Sequence, residues 1–164
     1  MLVQQLYQIK NFPKILTEIN DIIQTAGFVN NQIICQTLEE GQEDWHTGIG
    51  RIEELEIQSE KKYCNINPKL KGSELEEIIL RHNAYRTRIM SMPARQCYSI
   101  HADPSKRIHI PLITNSQAWM IWPTLSECHH MPRGTVYLTD TTKPHTFINA
   151  HTENRIHIIM CVDN

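Results

Sequence analysis

After residue 85 the chain breaks into short segments of alternating polarity, and no other feature constrains its fold as much. Extended pieces read out near 86–92, 97–103, 107–113, 117–123, 127–131, 135–139, 145–149 and 155–162, with turn residues between them. Side chains on a strand point alternately to its two faces, so a period of two separates one kind of surface from another. Isoleucine leads the apolar set with 23 copies, and β-branched side chains suit a pleated surface. Eight short strands in fewer than 80 residues, with helices only ahead of them, predict a mainly β protein. The expected architecture is a double-sheet jelly roll under an N-terminal helical cover.

The cover is read from a different period. Ile15, Leu16, Ile19, Ile22 and Ile23 recur at helical spacing after Pro13, and Gly27 is placed to end that helix. Residues 29–38 read as extended and 39–50 as a polar loop. Ser73, followed by Glu74, Glu76 and Glu77 and then Ile78, Ile79 and Leu80, reads as a second short helix with a hydroxyl cap and acids in its first turn. A length of 164 residues suits one domain. The change of texture near residue 85 is therefore read as cover (1–85) meeting catalytic core (86–164).

Charge and cysteine usage narrow the function classes. The formal net charge is −2, and residues 101–164 carry five Lys/Arg against five Asp/Glu, so no basic stripe marks a nucleic-acid surface. No run of about 18 apolar residues predicts a membrane span. Lys10, Lys14, Glu18 and Asp21 interrupt the region where a secretory leader would need an apolar stretch. The five cysteines are odd in number and never spaced as CxxC, which reads as reduced, mostly buried thiols in a cytoplasmic protein. Nine histidines are present, and seven of them follow residue 100.

Those histidines fall on particular strand faces. Cys97, Ser99, His101 and Asp103 share a face if 97–103 is a strand. Arg107 and His109 lie opposite Ile108, Ile110 and Leu112, and Arg155 and His157 lie opposite Ile156, Ile158, Met160 and Val162. Polar faces of antiparallel sheets ordinarily look at water, but they then carry Lys, Glu, Thr and Ser rather than His, Asp and Arg. His101 and Asp103, at i and i+2, sit about 6–7 Å apart along one face, and one ion can bridge them. His145, 42 residues beyond Asp103, can add a second imidazole. Two His and one carboxylate leave open positions on a metal, the arrangement of non-haem Fe(II) oxygenases. Arg155, ten residues after His145, offers a planar fork for the carboxylate of an acid co-substrate whose other end chelates the metal.

These elements in this order resemble the aspartyl/asparaginyl β-hydroxylase branch of the Fe(II)/2-oxoglutarate oxygenases. The resembling run is His101-Ala102-Asp103, Arg107 to Leu112 (RIHIPL) with Thr114-Asn115, then Gly134, Asp140, His145, Asn149 and Arg155 to Ile159 (RIHII), covering roughly residues 86–162. The resemblance implies a cupin-like double-stranded β-helix that holds Fe(II) through His101, Asp103 and His145. It implies that Arg155 pairs with the distal carboxylate of 2-oxoglutarate, that Arg107 and His109 lie near the co-substrate, and that Ser91 donates to the same carboxylate. With O2, such an enzyme hydroxylates its substrate and releases succinate and CO2. The substrate class the resemblance implies is an amino-acid side chain, free or peptidyl, or a similar small molecule. Two other readings stay open at the level of sequence: a cupin-like metalloenzyme that does not use 2-oxoglutarate, and a non-catalytic barrel that binds a ligand.

Overall fold

The structure, a computed structural model, describes residues 1–50, 52 and 56–164. Its elements run β1 (Val3–Gln8), α1 (Phe12–Ala26), β2 (Gln32–Ile34), β3 (Gln36–Thr37), α2 (Ile57–Lys61), β4 (Asn65–Ile66), α3 (Glu74–Arg81), β5 (Tyr85–Met92), β6 (Gln96–Cys97), β7 (Lys106–Ile113), β8 (Ala118–Trp122), β9 (Glu127–His129), β10 (Thr135–Thr139), β11 (Thr146–Asn149) and β12 (Arg155–Val162). A six-stranded antiparallel sheet has the order β1-β10-β7-β12-β5-β2, and a four-stranded sheet has the order β6-β11-β8-β9. The short pair β3-β4 stands beside them. The jelly roll predicted from the alternation is the fold found.

The helices form where their end signals lie. Pro13 opens α1, and Gly27, at φ 67°, closes it by donating its N–H to the Ile23 carbonyl. Ser73 Oγ accepts the Glu76 N–H at 3.0 Å, capping α3. Ile15 and Ile19 of α1 and Leu75, Ile78 and Ile79 of α3 pack on the outer face of the large sheet, against Ile89, Ile108, Ile110, Leu112, Ile158 and Met160. Burial of each such side chain is worth about 1.5–3 kcal/mol, so this apolar layer is what docks the helices.

The opposite face of the large sheet is the functional one. It looks toward the small sheet, and a second apolar cluster joins the two: Met92 and Tyr137 from one side, Ala118, Met120, Trp122 and Phe147 from the other. The inward-facing polar residues of β7 and β12 therefore do not meet bulk water. Arg107, His109, Arg155 and His157 are all buried, His157 and Arg155 completely.

Three features differ from the sequence reading. Residues 1–85 cover the barrel but also enter it, because β1 pairs with β10 and β2 with β5. The extended piece at 97–103 is a strand only at its start; beyond Cys97 the backbone is irregular, bonds β11 through the Tyr98 N–H to the Phe147 carbonyl, and pairs again in an isolated bridge, His101 to His145. All five cysteines are free, as read, but only Cys35 and Cys161 are buried, while Cys64, Cys97 and Cys128 are exposed. Among the described residues, no helix is long and apolar enough to cross a membrane.

Candidate active site

Between the sheets lies a cavity of about 550 Å³, lined by His101, Asp103 and His145 and by Arg86, Arg88, Arg107, His109 and Arg155, with Met90, Met120, Phe147 and Ile159 among the apolar walls. The isolated bridge builds its first wall. His101 N–H donates to the His145 carbonyl at 3.0 Å and His145 N–H returns the bond at 2.8 Å. A reciprocally bonded antiparallel pair puts both side chains on one face, and the two imidazole centroids are 4.5 Å apart. Asp103, two residues on, is tied by its N–H to the Thr141 carbonyl at 2.9 Å. One ligand atom from each of His101, Asp103 and His145 lies within 4.8 Å of the other two.

The tautomers follow from the backbone. His101 Nδ1 contacts the Ser99 carbonyl at 2.8 Å and His145 Nδ1 the Lys143 carbonyl at 2.9 Å. A carbonyl only accepts, so each Nδ1 carries the proton and each Nε2 keeps its lone pair for an ion. Burial holds the His145 imidazole below its ordinary pKa, which favours the same neutral form.

Among the described residues four guanidinium groups surround this cluster, and the structure divides them into two pairs. Glu60 of α2, fully buried, accepts from Arg86 at 3.2 Å and from Arg107 at 2.6 Å. Arg107 also reaches Asp103 Oδ1 at 3.3 Å and contacts Ser105 Oγ, while Arg86 donates to the Gly50 carbonyl at 2.6 Å. Arg86 reaches these partners because β5 bulges there: its register with β12 shifts between Ile159 and Cys161, and Arg86 sits at φ 49°. Arg155 and Arg88 have no carboxylate within ion-pair distance among the described residues. Burial pulls each of them down to a pKa of about 10.

Arg155 is completely buried. Its Nη1 meets His157 Nδ1 at 3.3 Å, its fork lies over the Phe147 ring, and its Nε and Nη2 have no hydrogen-bond partner among the described residues. His109 Nδ1 is another buried atom without a partner among the described residues. Burial first, then the Arg155 charge, keeps His109 and His157 well below the ordinary imidazole pKa, so both are neutral. Orphaned buried polar atoms of this kind are rare in folded proteins, and here they converge on a site able to take an acid.

The expected site residues are thus distributed unevenly. His101, Asp103 and His145 come together, and Arg155 and His109 line the same cavity. Arg107 lines it too, but its charge is spent on Glu60 and Asp103, so it braces the metal-ligand side rather than presenting a free fork. Ser91 is a correction: the cavity residues of β5 are Arg86, Arg88 and Met90, and Ser91, one position out of phase, is paired with Ile156 of the outward register. Sequence reasoning missed Glu60, Arg86 and Arg88. Arg-x-Arg on an inner strand was the available signal, since water-facing arginines do not belong in the middle of a sheet.

Residues 9–164 match the aspartyl/asparaginyl beta-hydroxylase family. The chain belongs to this family. The match extends well ahead of the segment that carries the resemblance in the sequence, and it makes the protein a hydroxylase. Among curated proteins none matches the chain. Of solved structures, a viral collagen prolyl hydroxylase from Paramecium Bursaria Chlorella virus-1, in its 2OG complex, is similar at TM-score 0.54 and 14% identity, over 99% of this chain and 97% of that one. An oxidoreductase of the 2OG-Fe(II) oxygenase family from Burkholderia pseudomallei is similar at TM-score 0.54 and 12% identity, over 89% of this chain and 76% of that one. At these identities the two share the fold of this family member.

Proposed function

We propose that the protein is an Fe(II)- and 2-oxoglutarate-dependent dioxygenase that hydroxylates an amino-acid side chain, free or within a peptide. The donor set fits the metal: two imidazole nitrogens held as acceptors and one carboxylate form the triad suited to ferrous iron with open positions. The pocket fits the co-substrate, because Arg155 presents two unpaired N–H groups into a dry site where one carboxylate would satisfy both. Iron and 2-oxoglutarate together supply the oxidising chemistry, in which O2 is consumed, succinate and CO2 leave, and one oxygen atom enters a C–H bond of the substrate.

The chain's own residues do the holding. His101, Asp103 and His145 would fix the metal, with the Ser99 and Lys143 carbonyls setting the ring orientations. Arg155 would grip the distal carboxylate, steadied from below by Phe147 and from behind by His157. His109 would offer its unpartnered Nδ1 to the same ligand. Arg107 holds Asp103 in place through the 3.3 Å contact. Met120, Phe147 and Ile159 keep water away from the reacting centre.

The observation that carries this reading is Arg155: a wholly buried cation with no acid beside it among the described residues, in the same cavity as the His/Asp/His cluster. Reconstitution with Fe(II), 2-oxoglutarate and O2 is expected to yield succinate, even without a primary substrate, through uncoupled turnover. Binding of 2-oxoglutarate without any succinate would turn the reading toward a silent ligand-binding barrel.

A further inference from the structure

Asp103 turns its two carboxylate oxygens to different neighbours. Oδ2 stands 3.8 Å from His145 Nε2, the nitrogen that keeps its lone pair for an ion, and Oδ1 stands 3.3 Å from Arg107 Nη2. Only Oδ2 therefore faces the metal side. A guanidinium beside a carboxylate commonly forms two parallel bonds to it, so the single contact between Arg107 and Asp103 needs a cause.

That cause is Glu60. Its Oε1 accepts from Arg107 Nη2 at 2.6 Å and its Oε2 from Arg107 Nη1 at 3.2 Å, so both ends of the fork already meet a carboxylate. Ser105 Oγ donates to Oε2 at 3.1 Å and Arg86 Nη1 to Oε1 at 3.2 Å, which fixes Glu60 from two further sides. Glu60 and Asp103 are the two carboxylates within ion-pair distance of Arg107 among the described residues. Without Glu60, the buried Arg107 charge would stay dry and half-paired, a costly state that a second bond to Asp103 would relieve. Asp103 is free to give that bond, since its side chain is 22% exposed while those of Arg107 and Glu60 are buried.

We propose that Glu60 is a positioning residue for the metal site. By occupying the Arg107 fork it limits Arg107 to one oxygen of Asp103 and leaves the other oxygen to the ion. On the proposed function, on which this inference rests, Asp103 is a metal ligand, and Glu60 decides how many of its oxygens remain for that task. The acid of a five-residue helix on the far side of Arg107 thus acts on the ion without touching it.

The test is titration of the full chain with Mn(II), followed by paramagnetic resonance, in wild type, E60Q, R107Q and E60Q/R107Q, with circular dichroism as the check on folding. Trimethylamine N-oxide, which is excluded from protein surface, is present throughout to keep weakened variants folded. E60Q should bind Mn(II) about 10- to 100-fold more weakly than wild type, the range for loss of an outer-shell partner. Its bound Mn(II) should carry one more exchangeable water by proton relaxation, because solvent fills the place that Oδ2 leaves. A general loss of stability does not move that number. With Arg107 gone Glu60 has nothing to divert, so R107Q and E60Q/R107Q should agree within about twofold, and both should bind more tightly than E60Q.

Glu60 is a structural acid only, and the positioning role falls, if E60Q binds as wild type does, if its water count is unchanged, or if E60Q/R107Q lies as far below R107Q as E60Q lies below wild type. Should E60Q stay unfolded, the comparison of R107Q with E60Q/R107Q decides by the same criterion. Wild-type protein that binds no Mn(II) would instead sink the metal reading. The crystal structure of metal-free E60Q then decides Glu60: both Asp103 oxygens turned onto Arg107 uphold the diversion, and an unmoved Asp103 overturns it.

Discussion

The guanidinium carbon of Arg155 stands 4.0 Å from the centroid of the Phe147 ring. Arg155 belongs to β12 of the large sheet and Phe147 to β11 of the small one, so this contact spans the cavity between the sheets and sets the direction of the fork. A cation over an aromatic face in a desolvated place is worth about 0.5–2 kcal/mol. Phe147→Leu is therefore expected to weaken 2-oxoglutarate binding by about 2- to 30-fold with the fold retained. Calorimetry on the Mn(II)-loaded variant reads the change, and unaltered affinity would remove Phe147 from the grip.

Arg155→Gln removes the fork itself. A ligand that binds only the folded state raises its melting temperature by mass action, so 2-oxoglutarate should stabilise the wild-type protein and should not stabilise the variant. The melting temperature of the variant without ligand should not fall much, because an unpaired buried charge has been deleted rather than a pair broken. A full thermal shift with 2-oxoglutarate in the variant would show that the acid sits elsewhere.

Asp103→Ala takes away the anionic member of the cluster. Losing an outer-shell partner already costs a metal site about 10- to 100-fold in affinity, and losing a ligand should exceed that. Mn(II) titration followed by paramagnetic resonance gives the affinity directly. Tight binding in the variant would mean that His101 and His145 suffice.

Glu60→Gln should be among the most damaging single changes for stability. The fully buried carboxylate serves Arg86 and Arg107 together. Removing one partner from a buried ionic cluster costs about 3–5 kcal/mol, since the remaining charges stay dry and unpaired. Urea denaturation is the measurement. A loss below about 1 kcal/mol, the scale of an exposed pair, would show that water reaches the cluster.

Stability should also fall in mild acid. The His157 pKa is pushed well below the ordinary value, by burial first and by Arg155 second. The unfolded chain therefore takes up a proton near pH 6.5 that the folded chain refuses. Its contribution is complete above pH 6.5 and is lost as the pH falls from there toward the depressed folded value, at about 1.4 kcal/mol per pH unit. Denaturation of metal-free protein between pH 7 and 5 should show a slope that His157→Phe reduces by about that amount. An unchanged slope would mean that His157 is protonated in the folded state.

Much of this protein was legible in its residue order. The apolar phase of 107–113 and 155–162 marked Ile108, Ile110, Ile158 and Met160 as core, because strand alternation is a local, steric property. His-x-Asp with a later His and Arg marked the site, because metal and acid recognition demand particular side-chain chemistry. The hidden part was non-local. Nothing near Glu60 in sequence shows that a five-residue helix will bring it to Arg86 and Arg107, or that β1 will close the edge of the large sheet beside β10. Ser91 lost its expected place to a phase of one residue, and the face assigned to 97–103 dissolved into irregular backbone. Which polar face would be dry, and which of the described arginines inside it would find a carboxylate, was decided only when the small sheet and α2 packed over the large one. Charge compensation depends on distances between segments far apart in the chain, and those distances exist only in the folded state.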